Sequence, residues 1–166
     1  ARALRTLAKY LPELWPEALE ITRQISAESA RALALRTLAK YLPPELWPEA
    51  LEITRQISDE SARASALSAL AKYLPPELLP EAIDLVESFD DRYYAASAWS
   101  GLLPRLEELP IDAVGFTKVL ATLGYRDRKD FLSDFPSLRN TLMRLGGDGV
   151  LKPCLQAMRE VCTQWP

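Results

Sequence analysis

The sequence predicts an all-α chain, an α-solenoid of helix hairpins about 32 residues long closed by a C-terminal helical cap. Three observations lead there: a block of sequence repeats, its apolar residues recur with helical spacing, and prolines gather at the joints between helical stretches.

The repetition begins at the N-terminus. LRTLAKYLP at Leu4 to Pro12 returns at Leu35 to Pro43, and ELWPEALEITRQIS at Glu13 to Ser26 returns at Glu45 to Ser58, with Pro44 as the only insertion. A third, diverged copy reads LSALAKYLPP from Leu67 and ELLPEAIDLVES from Glu77, which makes Trp15, Trp47 and Leu79 equivalent, as are Ile21, Ile53 and Leu85. A fourth half-unit, Ala98 to Leu106, keeps Leu70 as Leu102 and Leu74 as Leu106 and places Trp99 where Leu67 stood. Residues 1–106 thus form about three and a half units and 107–166 a capping region. The identity of the first two units points to recent duplication or engineered repetition. The start at Ala1, in mid-repeat, suggests a piece of a longer protein.

Each unit resolves into two helices. In the first, Leu35, Leu38, Ala39 and Leu42 fall on an i, i+3, i+4, i+7 stripe, which gives a helix one apolar face. Ser58 is the expected N-cap of the next such helix, with Asp59 and Glu60 in its first turn, where acids suit the helix dipole. Leu74-Pro75-Pro76 is expected to end it, because the residue before a proline is pushed out of the α region. Pro44 to Trp47 reads as one tight turn and Pro48 as the first residue of the second helix, which runs to about Ile57. Trp47, Ala50, Leu51, Thr54 and Ile57 then face inward; Glu49, Glu52, Arg55 and Gln56 face outward.

In the cap, Asp112 starts a helix reaching about Leu123 with Gly124 just past its end. Asp127 starts a short one, Arg128 to Asp134, and Pro136 opens another that Gly146 closes. A last helix follows Asp148, with Pro153 kinking or loosening its first turn.

Catalytic chemistry leaves traces in residue types, and here they are missing. The chain has no histidine, which removes the usual general base, the usual metal ligand and every Ser-His or Cys-His dyad. No HExxH, CxxC, GxSxG or GxxxxGK[ST] occurs. Gly146-Gly147-Asp148-Gly149 precedes a helix without the Lys-Ser/Thr of a phosphate loop and reads as a turn. The pairs Glu17/Glu20, Glu49/Glu52 and Glu81/Asp84 lie on the polar arc, whereas acid-base work needs a desolvated carboxyl. Cys154 and Cys162, eight apart, would lie about 12 Å apart along one helix, too far to bridge, and read as small buried residues in a reducing cytoplasm. The expectation is a non-enzyme with no cofactor and no metal.

Charge bounds the partners. Twenty basic against 23 acidic side chains give a net charge of −3, with no run of five or six like charges, which argues against nucleic acid and an anionic membrane as partners. No apolar run approaches the roughly 18 residues of a membrane span. Arg5, Arg36, Lys9, Lys40 and Lys72 make a weak basic row along the first helices, suited either to an acidic partner or simply to solubility and the helix dipoles. Tyr93 and Tyr94 cluster with Trp99 where the repeat diverges, and Arg126 and Arg128 flank Asp127 in the cap. Such residues are favoured interface anchors, although core filling and N-capping also account for them. Trp15 and Trp47 read as packing between units, and Leu33, equivalent to Ser65 and Ser97, as an exposed leucine. The candidate partner-binding set is therefore Arg36, Lys40, Lys72, Tyr93, Tyr94, Arg126 and Arg128.

Units of the form ALSALAKYLPPELLPEAIDLVESFDDRYYAASAWSGL resemble degenerate helical repeats common in the C-terminal sensor regions of bacterial, especially cyanobacterial, multidomain signalling proteins of the NACHT/STAND NTPase type. LGYRDRKDFLSDFPSL and LGGDGVLKPCLQAMREVCTQWP resemble the closing segment of the same proteins. The resemblance implies a cytoplasmic recognition arm that binds a protein partner, a ligand or the parent's upstream domains. A spacer or oligomerisation element with no ligand of its own is the alternative. A repeat cut in its middle also leaves an apolar N-terminal face, for which self-association is the expectation.

Overall fold

A computed structural model of the chain describes residues 14–109 and 111–146, and among these every regular element is helical, with no strand. Eight α-helices follow in order: α1 Trp15–Gln24, α2 Glu28–Leu38, α3 Trp47–Arg55, α4 Glu60–Leu70, α5 Leu79–Glu87, α6 Arg92–Leu102, α7 Ala113–Leu123 and α8 Arg128–Gly146. Helices α2, α4 and α6 pack in succession, each against the next, while α1 and α3 pack behind α2 and α5 packs behind α6.

The stripes read from the sequence are the core. Leu35, Leu38, Ala39 and Leu42 are buried, as are Trp47, Ala50, Leu51, Thr54 and Ile57. Trp15 and Trp47 lie inside at 4% and 3% exposure, with Leu79 in the equivalent place. Leu33 stands in solvent, as its pattern implied.

Helix ends differ from expectation in instructive ways. Pro48 and Pro80 occupy the second helical position, not the first, because 3-10 turns at Pro44–Leu46 and Pro76–Leu78 run directly into Trp47 and Leu79. The missing N–H does no harm there, since the first four amides of a helix have no intrahelical acceptor. Asp59, not Ser58, is the N-cap of α4, and its carboxylate accepts the Ala62 N–H at 2.7 Å. Helix α4 stops at Leu70, before its prolines, and tightens into a turn in which the Tyr73 N–H donates to the Leu70 carbonyl at 2.9 Å. Arg105 then takes up the loose end, donating to the carbonyls of Ala71 and Leu74.

In the cap, α7 matches its expected span, with the Asp112 carboxylate accepting the Gly115 N–H at 2.7 Å. The two short helices expected on either side of Pro136 are instead one 19-residue helix, α8, with Pro136 inside it. An internal proline costs about 3 kcal/mol, and here both halves are tied down. Arg126 pairs with Asp130 at 3.0 Å and Asp134 at 2.6 Å on the first half, and Leu138 and Leu142 are buried on the second. The domain boundary drawn at residue 106 falls within the 3-10 segment Leu103–Glu108, against which α8 packs. The final helix, the glycine turn beyond Gly146, Cys154, Cys162, Arg5 and Lys9 lie outside the described residues.

Polar contacts between neighbouring hairpins recur at a fixed offset of 32 residues. Glu28 accepts the backbone N–H groups of Ser58 and Asp59 at 3.0 and 2.6 Å, and Glu60 accepts those of Asp90 and Asp91 at 2.9 and 3.0 Å. Arg23 meets Glu49 at 3.1 Å, and Arg55 meets Glu81 at 3.3 Å. Within each hairpin joint, Arg31 and Arg63 donate to the carbonyls of Ile25 and Ile57.

Candidate partner-binding wall

The outer faces of α2, α4 and α6 form a wall floored by small side chains, because the positions that would hold large residues carry serine and alanine. Ala64, Ser65, Ser68, Ala69 and Ser97 line a shallow depression of about 380 Å3, rimmed by Arg36, Lys72, Tyr93 and Tyr94. An adjoining depression of about 310 Å3 is lined by Leu33, Arg36, Thr37, Lys40, Ala69, Lys72 and Tyr73. Neither lining contains a carboxylate.

Close helix packing shapes this wall. At Gly101 of α6, an added Cβ would lie 2.2 Å from the Ser68 carbonyl oxygen, well inside contact distance. Glycine is required because α4 and α6 approach backbone to backbone at that point.

The rim groups keep their chemistry available. Arg36, Lys40 and Lys72 are exposed. The Arg36 guanidinium donates to the Ser65 hydroxyl across the α2/α4 joint at 3.3 Å, and the Lys40 ammonium lies 4.5 Å from the Tyr41 ring. Tyr93 and Tyr94 stand edge to face, ring centroids 5.6 Å apart, with Tyr93 exposed and Tyr94 half-buried. One end of the wall therefore offers three cations and the other a pair of aromatic rings.

Five of the seven residues singled out from the sequence thus meet on one wall, and two do not. Arg126 is held by Asp130 and Asp134, its side chain only 12% exposed, so it braces the turn into α8. Burial holds the Asp134 carboxyl above the usual aspartate range, against the opposing pull of Arg126. Asp130 and Asp134, four and eight residues after Arg126, were the available signal for that role. Arg128 is exposed at the start of α8, apart from the wall. The carboxylate pairs are superficial, and Glu49 and Glu81 are engaged by arginines of the preceding hairpin.

Sequence reasoning missed Tyr73, Ser65 and Ser68 as wall residues. It also missed the carboxylates of Glu28 and Glu60, which receive backbone N–H bonds that hold them below the usual glutamate range. Among the described residues there is no group of three or more Cys, Asp or Glu placed to hold a metal ion. No described helix is long and apolar enough to cross a membrane.

No family profile matches the chain, and neither does any curated protein or solved structure.

Proposed function

We propose that the chain is an α-solenoid segment acting as a non-catalytic protein-interaction module, the recognition arm of a larger bacterial signalling protein of the NACHT/STAND type. Its partner is an acidic, extended segment of another protein or of the parent's own upstream domains, taken up on the α2/α4/α6 wall. The single observation that carries this reading is the convergence of Arg36, Lys40 and Lys72 on adjoining depressions whose lining includes no acid. Like-signed groups on a shared concave surface raise the local concentration of counter-charged segments and speed their capture. Tyr93 and Tyr94 supply flat, rigid contact area at the far end. The 32-residue recurrence of inter-hairpin bonds supports the stacked-hairpin architecture, which suits extended ligands.

The test is fluorescence anisotropy with a labelled peptide alternating glutamate and tyrosine. The expected result is binding that weakens with salt and falls at least roughly tenfold, about 1.4 kcal/mol, when Arg36, Lys40 and Lys72 are all changed to Glu. Equal binding by the variant removes the proposal.

A second reading, self-association through the N-terminal end, draws on one observation. Ile21 is 47% exposed while its equivalents Ile53 and Leu85 are buried at 0% and 3%. Under this reading the chain forms dimers in light scattering at high concentration, and Ile21→Lys abolishes them.

A further inference from the structure

A second concavity, of about 520 Å3, opens where the hairpin order breaks, between α5 and α7, with α6 contributing Ala95 and Trp99. Val86 and Val119 are buried in its floor, Ile83 and Ile111 give it half-buried apolar surface, and Glu87, Arg92, Asp112 and Lys118 stand exposed at its edge.

Comparison of registers explains why it stays open. Leu19 on α1 and Leu51 on α3 are fully buried, yet Ile83, at the same register of α5, is only half-buried. On the earlier helices the following hairpin reaches back, through Glu49 to Arg23 and through Glu81 to Arg55. One step further on, the arginine register holds Glu87 and the glutamate register holds Ala113. Both ends of the tie are gone, and one has changed sign. Helix α7 packs on α6 instead, its Val114 left 65% exposed. Glu87 and Lys118 make no side-chain hydrogen bond or ion pair among the described residues.

We propose that this cleft receives an amphipathic helix of a protein partner, lying along α5 in the manner of a following hairpin. Its apolar stripe covers the half-buried Ile83 and Ile111 and the exposed Ala121, and a basic side chain meets Glu87. The volume fits this occupant: it takes the few side chains that an i, i+3, i+7 stripe projects, while the helix backbone rests on the rim. Of the charged groups in the lining, Arg92 is turned to the Tyr125 hydroxyl and Asp112 accepts the Gly115 N–H, which leaves Glu87 as the carboxylate that selects a basic residue where the chain's own hairpins present glutamate. This surface is distinct from the α2/α4/α6 wall, and its test is separate.

The probes are two stapled, labelled 12-residue peptides: WPEALEITRQIS, the sequence of residues 47–58, and the same peptide with Glu49→Arg. With the full chain, the Glu49→Arg peptide is expected to bind roughly tenfold more tightly than its parent, a difference of one well-placed charge pair. Glu87→Arg in the chain inverts that order, and Ala121→Trp, placed on the exposed edge of the cleft, abolishes binding of both while circular dichroism stays unchanged. The proposal is overturned by equal binding of the two peptides, by no binding of either, or by indifference to Ala121→Trp. It is also overturned if the peptide is lost from the Arg36→Glu, Lys72→Glu chain instead, which would place it on the other wall.

Discussion

The joint between α3 and the hairpin that follows it and the joint between α5 and α7 use the same fold elements and end differently. At the first, Arg55 reaches Glu81, Leu51 is sealed, and Glu28 has already gripped the loop ahead of α4. At the second, Glu87 replaces the arginine, Ile83 is half-open, and the grip register that held Glu28 and Glu60 carries Arg92. Arg92 turns to the cap, donating to the Tyr125 hydroxyl at 2.9 Å. Side chains that link one hairpin to the next are therefore replaced together, and a cleft marks the spot.

The largest effect is expected where hairpins touch most closely. Gly101→Val forces a side chain into the Ser68 backbone and should destabilise the chain by about 3 kcal/mol or more, read as a fall in the urea midpoint. Gly115→Val, whose added Cβ meets the side chains of Asp112 and Ile111 at 3.3 Å and no backbone, should cost clearly less. Next comes Leu51→Ala against Ile83→Ala. The sealed position is expected to lose about 2–5 kcal/mol and the half-open one about half as much, and equal losses would erase the contrast between the joints.

Acid separates the joints further. The carboxylates of Glu28 and Glu60 are held below the usual range chiefly by backbone N–H groups of the next hairpin. A depressed acid contributes its full stabilisation above the unfolded-state value, about 4.3, and loses it as pH falls through the lower folded-state value. Thermal melts from pH 6 down to pH 3 should therefore show a steeper loss for the parent than for Glu28→Gln or Glu60→Gln, whereas Arg92→Gln leaves the slope unchanged. The smallest effect belongs to Arg55 and Glu81, both well exposed. A double-mutant cycle there should return about 0.2–1 kcal/mol.

Much of the helix content was legible because apolar spacing and proline placement act locally: the stripe from Leu35 to Leu42 and the turn at Pro44 required no knowledge of neighbours. The clamps were not legible. Glu28 serves backbone N–H groups 30 and 31 residues ahead, and an amide has no letter in the sequence. Pro136 misled for the opposite reason, since a local rule was overridden by ion pairs and burial on either side of it. The basic row was visible as a pattern, but only the packing of α2, α4 and α6 joined Arg36 and Lys72 to Tyr93. Arg126 looked equally available until Asp134 claimed it.

The offset of 32 residues in the clamps also bears on how such a chain lengthens. A copied stretch of that length brings along its own glutamate for the loop ahead, its own arginine for the helix ahead and a loop that accepts the previous grip. Insertion of one more copy thus leaves no donor or acceptor stranded at either splice and calls for no second change elsewhere. A gain of one whole copy keeps these bonds in register, while the loss of a few residues shifts the register of each bond that spans the cut.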